Sequence, residues 1–270
     1  MKTNLKTLAQ LLLAASLSMV LLTACGGAAT PEVTEAPPAV IETTAPVVTE
    51  APVVEPTATV ELATATIEAP TLAPTATTDP LVAGLQAAED LRAQGNVPEA
   101  IAQLTTLVEQ NPAAYEPVMA RAKLYFFQEQ WDEAVADLTK AVELKPSDPA
   151  AYNLRGIVYS RLEKLDEAIA DYGKSIELAP DVVDGYLNRG VLYLMMNQID
   201  QALVDFEQAV KLEPENPEAL FDRAQAYIMK ERTTEGVADL NKALSLTQDA
   251  GLKSNILDIL KSLGQAVPTP

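Results

Sequence analysis

The reactive side chains of this 270-residue chain are one thiol, Cys25, and 38 carboxylates, with no imidazole among them. A single cysteine cannot close an intrachain disulfide. Structural zinc sites draw on clustered cysteines and histidines, and hydroxyl or thiol nucleophiles of the triad kind need an imidazole base. Paired-acid hydrolysis is the chemistry left over, and it requires two carboxyls converging on one bond. The most regular acids, Asp137, Asp171, Asp205 and Asp239, recur with a fixed spacing, and Lys140, Lys174 and Lys242 each follow three residues on. That is the pattern of i,i+3 pairs on an exposed, solvated helix face. No pair of acids is singled out for catalysis. Glycine-rich phosphate loops are absent, and Asp148-Pro149 and Asp181 do not make a calcium loop. The expectation is a protein that is not an enzyme and holds no cofactor or metal. With 19 Lys+Arg the net charge is −19, which excludes the basic footprint a nucleic acid requires.

The thiol has a context of its own. Lys2 and Lys6 precede an apolar run from Leu11 to Ala24. The run is shorter than the roughly 20 apolar residues that cross a bilayer, so residues 1–24 read as an export signal. It ends in Leu22-Thr23-Ala24-Cys25-Gly26. This resembles the bacterial lipobox. The resemblance implies a diacylglycerol thioether on Cys25, cleavage before it, and acylation of the new amino terminus. Two acyl chains anchor a protein stably. An ordinary signal peptide that happens to contain a cysteine is the alternative. The implied location is the cell envelope, outside the cytoplasm, on the outer face of the cytoplasmic membrane or on an outer membrane; Gly26 in place of Asp favours the latter where a cell has one.

From residue 26 to 80 the composition changes to 13 Thr, 9 Pro, 7 Glu and one Asp, with no Lys, Arg or aromatic residue. Such a stretch cannot bury enough apolar surface to offset its ordering entropy. Proline and like charges extend it. Residues 25–80 are therefore expected to be a lipidated cysteine followed by a disordered linker.

The elements that position everything else are periodic. Pro112, Pro146, Pro180 and Pro214 are 34 residues apart, and a proline ends a helix. Numbering each unit 1–34 aligns the rest. Position 8 is Ala88, Ala122, Gly156, Gly190 and Ala224; position 20 is Ala100, Ala134, Ala168, Ala202 and Gly236. Position 11 is Leu91, Tyr125, Tyr159, Tyr193 and Tyr227; position 24 is Leu104, Leu138, Tyr172, Phe206 and Leu240. Each unit reads as two antiparallel helices. Small residues at 8 and 20 bring the backbones together, and large ones fill the space beside them. Gly95 and Asn197-Gln198 mark the turn within a unit, and acids open the second helix at Asp132-Glu133, Asp166-Glu167 and Asp200.

This pattern resembles the tetratricopeptide repeat. Tyr152-Asn153-Leu154-Arg155-Gly156, Tyr159, Ala168, Tyr172 and Pro180 carry the signature at its spacing. The resemblance implies an all-α solenoid over 81–264: repeats at about 81–114, 115–148, 149–182, 183–216 and 217–248, then an amphipathic helix over 250–264. Leu252, Ile256, Leu257, Ile259, Leu260 and Leu263 line one side of that helix, which reads as a cap; docking of a partner or a lipid surface is the alternative. Residues 265–270 are a tail.

The resemblance also implies a groove lined by the first helix of each repeat, at positions 2, 5, 9 and 12. Here these are Met119, Lys123 and Phe126; Asn153, Ile157 and Ser160; Asp184, Leu187, Val191 and Leu194; and Glu218, Phe221, Gln225 and Ile228. Some of them could instead pack between repeats. An apolar groove suits an amphipathic helix or an extended peptide. Chaperone-binding members of the family grip a terminal carboxylate with lysines, asparagines and an arginine. Asn153 and Asn188 sit at plausible positions, but Glu218 and Asp222 stand where basic residues are needed. A partner with hydrophobic anchors and basic or neutral flanks fits better. The expected function is a membrane-anchored scaffold or adaptor for envelope proteins. The alternative is an assembly factor for a pilus or secretion apparatus, and an envelope enzyme is the remote third reading.

Overall fold

A computed structural model describes residues 79–265, where all regular structure is helical. The signal, Cys25, the linker through residue 78 and the tail from 266 lie outside the described residues. Five helical hairpins follow one another: α1 (Pro80–Ala93) with α2 (Val97–Gln110), α3 (Tyr115–Phe127) with α4 (Trp131–Leu144), and α5 (Pro149–Arg161) with α6 (Leu165–Leu178). Then come α7 (Val183–Met195) with α8 (Ile199–Leu212), and α9 (Pro217–Met229) with α10 (Thr233–Leu246). A last helix, α11 (Ala250–Ser262), packs on α10 and buries Leu252, Ile256, Ile259 and Leu260. Within the array each first helix also packs on the second helix of the preceding hairpin. This is an all-α solenoid with a capping helix.

The helix ends follow from local chemistry. Each of the four periodic prolines lies two residues beyond a second helix, after Gln110, Leu144, Leu178 and Leu212. Asp79, Asp148, Asn216 and Asp249 cap the following helices by accepting from backbone N–H groups at 2.6–3.0 Å. The turn inside every hairpin places position 15 in the left-handed region. Gly95 does so at φ 83°, and Glu129, Glu163, Asn197 and Glu231 at 56–62°. The next residue's N–H then returns to the carbonyl of position 11, as in Gln130 to Tyr125 at 2.9 Å and Gln198 to Tyr193 at 2.8 Å. This 6→1 closure ends the first helix. Gly95 and Asn197 fit the expectation from composition. The three glutamates were not expected as turn residues, because Glu has no preference for positive φ.

Packing between the two helices of a hairpin depends on a matched pair of volumes. Where position 24 is Leu104, Leu138 or Leu240, position 8 is alanine. Where it is Tyr172 or Phe206, position 8 is glycine. A methyl group added to Gly156 would meet Tyr172 at 2.8 Å, and one added to Gly190 would meet Phe206 at 2.5 Å. Both rings are fully buried. A second match lies at positions 12 and 20: β-branched Ile228 faces Gly236, with only 2.7 Å to the place of a Cβ.

The periodic aspartates are not where the lysine spacing placed them. Asp137, Asp171, Asp205 and Asp239 are buried, at 2–8% exposure. Each takes a two-pronged grip from an arginine sixteen residues earlier, across the hairpin: Arg121, Arg155, Arg189 and Arg223, with N···O distances of 2.7–2.9 Å. Each guanidinium also lies 5.6–6.0 Å from the ring of the position-11 tyrosine one turn on. Arg121 reaches back to Thr105 of the preceding hairpin at 3.0 Å. The lysines pair elsewhere, Lys140 with Glu143 and Lys174 with Glu177. The reason is geometric. Positions 7 and 23 oppose one another where the antiparallel helices touch, and a fork-shaped guanidinium matches a carboxylate there better than a flexible lysine does.

Candidate interaction face

The face made by the first helices α1, α3, α5, α7 and α9 holds the residues expected in a groove, and the structure divides them by exposure. Phe126, Ile157, Leu187, Val191, Leu194, Phe221, Gln225, Ile228 and Met119 are buried, at 0–7%. Most belong to the packed cores between helices. Lys123 is exposed, and Asn153 and Ser160 are half-buried. Asp184 is exposed and Glu218 half-buried. Position 12 points into the hairpin. The residue after it turns by about 100° and faces outward, so Phe127 is 48% exposed and Met195 37%. Sequence reasoning passed over these two. The signal available was the i,i+4 step from position 9 to position 13 on one helix face.

At the N-terminal end this face forms a cavity of about 480 Å³ between α1 and α3. Leu85, Ala88, Leu104, Met119, Leu124 and Phe127 supply its apolar wall. Glu89, Arg92, Glu116 and Lys123 stand around it. Arg92 and Glu89 pair, and that pairing holds the Glu89 carboxyl below its ordinary range. The cavity therefore offers apolar depth with charges of both signs at its edge. Phe127 also stacks edge-on with Phe126, ring centres 5.7 Å apart, which ties the exposed ring to the core.

At the C-terminal end the same face is acidic. Glu218 and Asp222 are one turn apart on α9, and Asp184 occupies on α7 the repeat position that Glu218 occupies on α9. Asp222 is 5% exposed. Burial first, and Glu218 second, push its carboxyl well above the usual range. Glu218 is raised by loss of solvation and then by Asp184 and Asp249. Asp184 is raised by loss of solvation and then by Glu213. Asn188, at the position on α7 that Asp222 occupies on α9, donates to Asn153 of the preceding repeat at 3.0 Å.

Among the described residues no three Cys, Asp or Glu side chains converge as metal ligands. No helix there is long and apolar enough to cross a membrane.

Models of the tetratricopeptide repeat match residues 85–118, 149–182 and 183–216, and a related TPR repeat model matches 122–163. No curated protein is a significant match. Three solved structures show the same fold. MamA of Desulfovibrio magneticus RS-1 is 18% identical, with TM-score 0.58, covering 64% of this chain and 98% of that one. YrrB, described as a TPR protein with an unusual peptide-binding site, is 20% identical, with TM-score 0.55, covering 67% and 92%. PilW, described as a type IV pilus biogenesis factor, is 20% identical, with TM-score 0.60, covering 69% and 87%. The first four hairpins, which these models match, are tetratricopeptide repeats, and the fifth has the same fold.

Proposed function

We propose, from the premise that this chain is an array of tetratricopeptide repeats, that it is an envelope adaptor that binds a helical or extended segment of another protein along its first-helix face. The observation that carries this reading is the apolar cavity between α1 and α3, with Phe127 exposed at its edge. A shaped apolar recess beside a few charges suits an amphipathic segment with hydrophobic anchors. The peptide-binding site named for YrrB, on the same fold, supports it. The anchor is the second part of the proposal: Cys25, in its lipobox-like setting, carries the lipid, and residues 26–80 hold the repeats away from the membrane. The assembly-factor alternative draws on a fold shared with PilW, and loss of a surface appendage on deletion is the result that would single it out.

The test of the face is crosslinking in intact envelopes with wild type, Phe127→Glu and Met195→Glu. Both side chains are exposed, so both variants are expected to fold. Loss of crosslinked partners from Phe127→Glu is expected; retention of every partner by both variants rejects the face. Phe126→Glu and Phe221→Glu are poor probes, because both rings are in the core. For the anchor, Cys25→Ser is expected to abolish fatty-acid labelling and release the protein from membranes.

A further inference from the structure

The acidic end of the face carries an unusual group. Asp222 is almost wholly buried, yet its carboxylate is nearly without partners. Gln225 Nε2 approaches Oδ1 at only 3.5 Å, and among the described residues no donor reaches Oδ2. Buried carboxylates are ordinarily paired with a cation or with several donors. The other buried aspartates of this array show the rule, since Asp137, Asp171, Asp205 and Asp239 are each gripped by an arginine. Asp222 has none. Its free oxygen is not sealed in the interior either, because among the described residues the one sealed side-chain atom lacking a partner is Arg161 Nη2. The oxygen therefore keeps some access to solvent, and Glu218 stands one turn away on the same helix. Asp184 of the neighbouring repeat stands close enough to Glu218 to raise its proton affinity. None of the three acids is paired with a basic side chain among the described residues.

We infer that Asp222, Glu218 and Asp184 form the receptor for a positively charged side chain, a guanidinium or ammonium, of the segment bound along this face. The inference rests on the adaptor reading above and adds the chemistry of the partner. A long, flexible basic side chain can deliver its charged head to a recessed carboxylate while its stem lies on the apolar wall. Its N–H donors would satisfy the empty lone pairs of Asp222 and reach Glu218 at the rim. The absence of a convergent metal set among the described residues fits an organic cation, whose donors are spread over several ångströms, better than a bare divalent ion.

The test is selection of random dodecapeptides displayed on phage against the full chain, followed by binding measurements on the selected peptides. Enrichment of arginine or lysine at one fixed position beside apolar anchors is expected. Replacing that arginine by neutral, nearly isosteric citrulline should weaken binding by about ten-fold or more, the scale of a charge-assisted hydrogen bond. On Glu218→Gln/Asp222→Asn the same replacement should change binding by less than about two-fold. Asp222→Asn keeps shape and removes a buried charge, so the variant should fold; Glu218→Gln alone, at a half-buried site, is the second variant. Enriched peptides without a basic residue overturn the inference and leave the adaptor reading standing. An arginine whose contribution is the same in wild type and variant overturns it too, since the charge is then read elsewhere. Failure to enrich any peptide removes both the inference and the reading beneath it.

Discussion

Repeat 1 and repeats 2–5 follow the same path with different bonds. Positions 7 and 23 are Arg and Asp in the last four repeats, but Ala87 and Gln103 in the first. Position 11 is tyrosine in those four and Leu91 in repeat 1. Position 15 takes its left-handed turn on glycine in repeat 1, and on Glu or Asn elsewhere. The first hairpin thus has the easier backbone and the plainer core. The others carry buried, oriented charge and some turn strain. The common fold therefore rests on what all five share: small residues at 8 and 20, and a large one at 24. The arginine–aspartate grip is an addition, found in the four repeats that follow another.

The largest expected effect breaks that addition. Asp171→Ala strands Arg155 in a largely buried site and should cost about 3 kcal/mol or more, read by urea unfolding. Gln103→Ala, at the matching position of repeat 1, should cost less than about 0.5 kcal/mol. Equal costs would show that the grip is decoration. Next in size is the volume match. Gly156→Ala should destabilise by about 1–3 kcal/mol through overpacking against Tyr172. The double variant Gly156→Ala/Tyr172→Leu should recover much of that loss, because it rebuilds the pair present in repeats 1, 2 and 5. A double-mutant cycle with no coupling would refute the match.

Smaller still is the turn. Glu163→Gly should stabilise by about 0.5–1 kcal/mol by removing left-handed strain, and Gly95→Glu should lose a similar amount. The last effect is one of pH. Asp222 binds its proton more tightly folded than unfolded, so its charged form opposes folding at neutral pH, and that penalty fades as pH falls through its raised folded pKa. Asp222→Asn should therefore raise the melting temperature at pH 7 and have little effect near pH 4. The nearby acids that would share the titration are Glu218, Asp184, Asp249 and Glu213. A variant equally stabilising at both pH values would remove the assigned burial penalty.

Much of the fold was legible in the sequence because repetition converts single weak signals into a register. One proline after an apolar run says little; four at 34-residue spacing fix the ends of four helices. The arginine at position 7 recurs with the same regularity, yet its role was not legible. Its partner is sixteen residues away, on another helix, whereas a lysine three residues from the same aspartate offers an obvious local mate. Side-chain pairing across a hairpin depends on which faces touch. The groove suffered from the same ignorance of rotation. Moving from position 12 to 13 carries a phenylalanine from core to surface, and residue type alone cannot distinguish Phe126 from Phe127. Asp222 was visible as an acid where a base would be needed for carboxylate capture. Its burial was not, because that is set by how α9 seats on its neighbours.

The two matched pairs, Gly with an aromatic at 8 and 24 and Arg with Asp at 7 and 23, have both members inside a single stretch of 34 residues. Copying or excising such a stretch in a gene would carry both halves of each fit together and leave no orphan behind. The array can therefore lengthen or shorten by whole units without first breaking a core. Recombination whose crossover falls between positions 8 and 23 has no such protection, since it can join the glycine of one unit to the leucine of another and leave a void.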